Sequence, residues 1–237
     1  MPYTIVNKYI PESLYKLKAP YSMKPEYVTI HNTANDATAA NEIAYMTRNS
    51  EPVSYHVAVD DKQVVQAIPF TRNGWHSGDG STGPGNRKSI GVEICYSKSG
   101  GPKYVAAEVN AIEYVAHILK QYGWGIDRVK WHHDWPRPSD GYRKNCPHRI
   151  LDEGRAQSVK NRIVAKLKEL NNPTLPKEET RMFKPSSATL KAAYEQFLSG
   201  AIKDGTIAAK WLTEFKAGKL SLDDALALKV IIDQRKK

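Results

Sequence analysis

PEYVTIHNTANDATAANEIAYMTRN, residues 25–49, changes its periodicity halfway along, and that change decides the fold. Tyr27 to Ile30 make an apolar-rich run with β-branched members, which predicts a buried strand with His31 at its end. From Asp36 onward the apolar residues recur at helical spacing, which predicts a helix with Asp36 as its N-cap. The same alternation returns further along. IGVEICY (residues 90–96) reads as a short strand with a carboxylate at its middle. KYVAAEVNAIEYVAHILKQYG (103–123) reads as a helix with an apolar stripe through Val105, Val109, Ile112, Val115, Ile118 and Leu119. VKWH (129–132) adds a strand, and the segment ending in IVAKLKEL (155–170) adds a helix. Two apolar runs on either side of Asp60, Asp61 and Lys62 predict a hairpin. The expected class is α/β, with a mixed central sheet flanked by helices over residues 1–170.

Residues 171–185 hold three prolines among mixed charges and read as a linker. No proline follows. Apolar stripes through Leu190, Tyr194, Phe197 and Leu198, through Ile207, Trp211, Leu212 and Phe215, and through Leu222, Leu226 and Val230 predict a small all-helical domain over 186–237, with Gly205 and Gly218 between the helices.

Composition narrows the function. Hydrophobic residues at 41% and charged residues at 25% fit a folded globular chain, and no apolar run approaches the ~18 residues that span a bilayer. The N-terminal residues show no secretory pattern, so a cytoplasm is the expected location. Two distant cysteines, Cys95 and Cys146, make no disulfide framework; Cys95 reads as a small core residue. A net charge of +10 predicts attraction to a polyanion, and without an RNA-binding aromatic motif, zinc-finger spacing or basic zipper, nucleic acid is not the expected partner.

The chemistry concentrates in WHHDWPRPSDGYRKNCPHRI, residues 131–150. Histidine, cysteine and carboxylate side chains bind transition metals, and a catalytic zinc site needs three of them with one position left for water. His31, a histidine at the end of VKWH, and Cys146 offer such a set. Adjacent residues of a strand point to opposite faces, so His132 and His133 do not both serve, and spacing alone leaves the choice open.

TIHNTA, NGWHSGDG, SIGVEIC, HHDW and KNCP, in that order, resemble the zinc-dependent N-acetylmuramoyl-L-alanine amidases of the type 2 family, whose fold is related to that of the peptidoglycan-recognition proteins. Each motif alone is weak; the combination is specific and covers about residues 20–170. The resemblance implies zinc as cofactor, with His31, His132 and Cys146 as ligands, because the family's H-x-D element aligns His132 with Asp134. It implies Glu93 as the catalytic base, in a strand where burial raises a carboxylate pKa, and Lys144 as stabiliser of the oxyanion, with Tyr55 ranked below Glu93. His76 and Asn86 are expected to line the substrate groove, with His56 either lining it too or serving as a buried polar residue; His117 is expected to be structural, and His148 has no role we derive. Residues 136–142 look like an insertion relative to the family.

The expected reaction is hydrolysis of the bond between N-acetylmuramic acid and L-alanine in peptidoglycan, by a monomer that does not insert into the membrane. A catalytic domain, a linker and a basic helical unit resemble a phage endolysin for a Gram-positive wall, with the helical unit binding the wall polymer. A bacterial autolysin has the same layout, and a recognition module that binds without cutting is the other alternative. A zinc protease or deaminase is disfavoured because H-E-x-x-H and P-C-x-x-C are absent.

Overall fold

The computed structural model describes residues 3–172 and 181–235, in two compact units, Met1–Pro173 and Thr174–Lys237. In the first unit, strands β1 (Thr4–Asn7), β2 (Tyr27–Asn32), β3 (Val57–Val59), β4 (Gln63–Gln66), β5 (Ser89–Ile94) and β6 (Val129–Trp131) form one sheet in the order β1-β4-β3-β5-β2-β6. Only β3 and β4 pair antiparallel, across the expected hairpin; the rest is parallel. The helices of this unit are α1 (Tyr15–Lys18), α2 (Ala39–Arg48), α3 (Pro84–Lys88), α4 (Gly101–Tyr122), α5 (His148–Asp152) and α6 (Ala156–Asn171).

β2 and β5 lie inside the sheet, and of their residues only Tyr27 and Glu93 are less than fully buried. This is why the two segments read as nearly continuous apolar runs. β2 runs two residues further than its apolar run suggests, so His31 sits within the strand. Its parallel register sets His31 beside Glu93 on β5 and Ile30 beside Trp131 on β6, which brings the carboxyl ends of β5, β2 and β6 together. Ligand sites of open parallel sheets form at such ends.

Three local expectations are corrected. The N-cap of α2 is Thr38, whose hydroxyl accepts from Asn41 N at 3.2 Å, while Asp36 instead accepts from the backbone N and hydroxyl of Ser99. On α4, Val105 and Val109 are 60% and 41% exposed; the buried side runs through Tyr104, Ala107, Ala111, Ile112, Val115, Ile118 and Leu119. Alanine and tyrosine complete that stripe, a substitution that a pattern of aliphatic residues alone does not register. VKWH ends as a strand at Trp131, and His132–Asp134 turn into a short 3-10 helix held by Asp134 Oδ2 accepting from Trp131 N at 2.8 Å.

The second unit holds α7 (Ala188–Lys203), α8 (Lys210–Lys216) and α9 (Leu222–Arg235) around Leu198, Ala201, Phe215, Leu220, Ala225, Leu228 and Ile232. The stripe expected on α9 is the outer one: Leu222, Leu226 and Val230 are exposed, and Ala225, Leu228 and Ile232 face the core. Leu190 is exposed as well, and Trp211 is half-buried. Of the expected linker, residues 173–180 lie outside the described residues. Asn171 ends α6, and Phe183 N donates to Leu220 O at 2.8 Å, so residue 183 belongs to the helical unit. No helix among the described residues is long and apolar enough to cross a membrane.

Candidate metal centre

His31 on β2, His132 at the start of the 3-10 turn after β6, and Cys146 in the loop before α5 converge, each offering a ligand atom within 4.8 Å of the others, and all three residues are buried. His31 Nδ1 stands 3.0 Å from His132 Nδ1 and 3.9 Å from Cys146 Sγ. Zinc bonds of ~2.0–2.1 Å to nitrogen and ~2.3 Å to sulfur put tetrahedral ligands at about such separations. Two imidazoles and a thiolate, brought together from three separate parts of the chain in a buried place, are a donor set that fits zinc with a position left over. The Asn32 backbone N–H donates to Cys146 Sγ at 3.4 Å, which favours the thiolate.

His133 is the excluded neighbour. Its Nδ1 lies 3.3 Å from the Lys144 carbonyl, its backbone N donates to the Cys146 carbonyl at 2.9 Å, and it takes no part in the cluster. The reason is the turn rather than strand alternation, because both histidines lie in the 3-10 segment.

Burial holds His31 well below the ordinary histidine pKa, aided by the nearby His132, His76 and Lys144, and lowers His132 to about 4. Both rings are therefore neutral, the form that binds metal. Burial, reinforced by Glu93, pushes the Cys146 thiol up to about 12. Glu93 lies with Oε1 3.9 Å from His31 Nδ1 and with Oε2 buried and unpartnered. Burial and then the Glu42 carboxylate push it up to about 8, against the pull of Lys144.

Two adjoining clefts flank the cluster and share Val53 and Lys144 along their walls. One, of about 470 Å³, includes Asn35, Glu42, Tyr55, Glu93 and Cys146 in its lining; the other, of about 370 Å³, includes Trp75, His76, His132, Trp135, Arg137 and Tyr142. Lys144 is exposed at their junction, but the segment carrying it is not extended: Cys146 N donates to Lys144 O at 2.8 Å, a tight turn. Arg137 and Tyr142 place residues of the apparent insertion on the second cleft, with the Arg137 guanidinium 4.8 Å from the Tyr142 ring centre.

Two of the three expected groove residues are engaged elsewhere, and the third lines a cleft with its ring nitrogens already partnered. Asn86 Oδ1 accepts from His76 N and Ser77 N, both at 2.8 Å, and its Nδ2 donates to Gly80 O at 3.0 Å, so it braces the loop and does not line either cleft. His56 is fully buried, with Nδ1 accepting from Gly91 N and Nε2 on the Arg72 carbonyl, both at 2.9 Å. His76 reaches the second cleft, yet its Nδ1 faces His31 Nε2 and Ser77 Oγ and its Nε2 faces Ser89 O. A polar residue bordering a glycine-rich loop is as readily its brace as its ligand contact, and only the partner atoms tell the two apart. Tyr55 donates to Glu42 Oε2 at 3.1 Å, and its phenol is pushed up by burial and by Glu42.

Sequence reasoning missed Glu42 and Lys18. Glu42 is buried on α2 with Ala39, Ile43 and Met46, a carboxylate inside an apolar stripe, which was the available signal. Lys18 is buried and binds Asn49 Oδ1 at 2.6 Å and the Glu51 and Val53 carbonyls, tying down a loop that borders both clefts. Nothing local in LYKLK marks it. His117 sits on α4, 3.9 Å from Glu113, and His148 lines the first cleft with Nε2 3.2 Å from the Ser97 carbonyl; neither belongs to the cluster.

The family model described as N-acetylmuramoyl-L-alanine amidase matches residues 21–149. Two proteins of Bacillus subtilis (strain 168), the N-acetylmuramoyl-L-alanine amidases CwlA and XlyB, are 60% and 58% identical to this chain over 174 and 171 residues, covering 73% and 72% of it. The aligned parts make up 62% and 51% of those two relatives. Among solved structures, that of PlyL superposes with a TM-score of 0.63 at 50% identity, over 67% of this chain and 96% of that one. The solution structure of the PlyG catalytic domain also gives 0.63, at 47% identity, over 69% and 94%.

Proposed function

This chain belongs to the type 2 N-acetylmuramoyl-L-alanine amidase family, and from that we propose that it hydrolyses the amide bond between N-acetylmuramic acid and L-alanine in peptidoglycan. The observation that carries the reading is the buried His31, His132 and Cys146 cluster opening on two adjoining clefts, with Glu93 beside it. His31, His132 and Cys146 would hold zinc, which when bound supplies Lewis-acid polarisation of the scissile carbonyl and an activated water.

Glu93 moves the protons. Its unpartnered Oε2, and a burial that raises its proton affinity above that of an ordinary carboxylate, suit its ionised form to take a proton from the attacking water and return it to the departing amine of alanine. Lys144, at the junction of the clefts, stabilises the negative charge that develops on the carbonyl oxygen. Tyr55, whose hydroxyl is committed to Glu42, acts as a positioning residue. Clefts on both sides of the metal cluster suit a substrate that continues in both directions from its scissile bond, glycan one way and peptide the other.

Within the family we read the chain as a lysin of the phage type directed at a Gram-positive wall, with the helical unit as its wall-binding part. The separate helical unit and the likeness to amidases of Bacillus subtilis support this. On that reading the protein waits in the host cytoplasm until the membrane is breached. Metal analysis combined with digestion of purified peptidoglycan tests the activity: zinc at one per chain and new N-terminal alanine are expected. New reducing sugar ends without new amino groups would mean a glycosidase and end the amidase reading.

A further inference from the structure

His76 sits in the long loop before α3, with its ring laid against β5 at Gly91. A Cβ on Gly91 would stand 2.8 Å from two ring carbons, so the glycine of SIGVEIC makes the seat for that ring. His76 Nε2 lies 3.1 Å from the Ser89 carbonyl oxygen, and its Nδ1 lies 3.0 Å from His31 Nε2 and 3.0 Å from the Ser77 hydroxyl. His76 and His31 are 6% and 1% exposed, and burial favours the neutral ring, which carries one N–H.

The proton positions follow from the end of this chain of contacts. A carbonyl oxygen only accepts, so His76 Nε2 carries the proton and donates to Ser89 O. His76 Nδ1 is then bare and can only accept. The Ser77 hydroxyl rotates to suit either arrangement, but His31 Nε2 has one role left, that of donor to His76 Nδ1. With its single proton on Nε2, His31 keeps a free lone pair on Nδ1, the nitrogen that faces His132 and Cys146.

We propose that His76 is the positioning residue that locks His31 in its Nε2–H tautomer, with the Ser89 carbonyl as the fixed end of the relay, so that Nδ1 is presented to zinc before the metal arrives. The proposal rests on the reading of His31 as a zinc ligand. Partners of this kind around a ligating histidine hold its orientation and raise its basicity, and their loss typically weakens metal binding by ~10–100-fold. The role also accounts for Asn86 and Gly91: one fixes the His76 backbone, the other leaves space for its ring.

The test has two parts. Nitrogen-detected imidazole spectra of the zinc-free full chain are expected to show His31 protonated at Nε2 and His76 at Nε2. Zinc affinity, measured by competition with a chromogenic chelator, is expected to fall by ~10–100-fold in His76→Phe, which keeps the ring but not the acceptor. His76→Asn, whose Oδ1 can stand where Nδ1 stood, is expected to recover most of that loss. A zinc-free His31 protonated at Nδ1, or unchanged zinc affinity in a folded His76→Phe, would overturn the relay. A wild-type chain that takes up no zinc would instead overturn the metal assignment, and the spectra of the zinc-free protein still decide the relay.

Discussion

His132 and His133 carry the same side chain one residue apart, yet the 3-10 turn buries one in the cluster and leaves the other on the Lys144 carbonyl. His132→Ala is therefore expected to lose bound zinc and His133→Ala to keep it, as read by metal content after gel filtration; the reverse pattern would move the ligand by one residue. Glu93→Gln and Lys144→Ala should keep the metal and lose rate, by ~100-fold or more if they shuttle the proton and stabilise the oxyanion. Retained activity in Glu93→Gln would transfer the base role elsewhere. His56 makes a separate prediction about stability. Burial lowers its pKa from 6.5 to about 4 in the folded state, so between those values the unfolded chain binds the proton more readily. The stability conferred by neutral His56 is thus complete above pH 6.5 and is lost as the pH falls towards 4. Thermal melts of the zinc-free protein should show this decline, and His56→Gln should show a shallower one; equal slopes would count against it.

The elements of the sheet unit are set by short-range chemistry at their ends. Thr38 caps α2 through Asn41 N, and Asp60 does two tasks, accepting from Lys62 N and Gln63 N in the β3–β4 turn and from Ala39 N at the start of α2. Thr38→Ala should cost about 1 kcal/mol in denaturant unfolding, in the usual range for a lost N-cap, while Asp36→Ala should leave α2 intact. If Asp36→Ala proves the costlier of the two, the cap assignment fails. Between α4 and α6, buried Glu108 accepts from Arg155 at 2.8 and 2.9 Å and from Arg162 at 2.7 Å, and this joins two helices that also share apolar contacts. Strand and helix type were readable here because β2 and β5 are buried on both faces and α4 carries a long stripe. The choice of cap was not, since Asp36 and Thr38 are both good caps and only the distance to Ser99 separates them.

Across the whole chain, the division into Met1–Pro173 and Thr174–Lys237 makes a prediction about targeting. From residue 174 onward there are 12 Lys plus Arg against 8 Asp plus Glu, 12 − 8 = +4, so a wall-binding role for the helical unit should be salt-sensitive. A chain of residues 1–173 is expected to cleave soluble muropeptides at nearly the rate of the full protein and to lyse intact cells poorly, because tethering raises local substrate concentration. Normal lysis by the shortened chain would remove the targeting role. By itself the sequence determined the α/β class, the helical C-terminal unit and the identities of His31, His132 and Cys146, because hydrophobic periodicity and an ordered set of motifs are properties of the chain read in one dimension. Only the tertiary structure decided that His56 and Asn86 brace the framework, that Glu42 lines the first cleft and Lys18 ties down the loop beside it, and that His76 faces a metal ligand. A buried polar side chain is defined by the atoms it meets, and here those atoms lie up to 45 residues away along the chain and meet only when the sheet and its loops close.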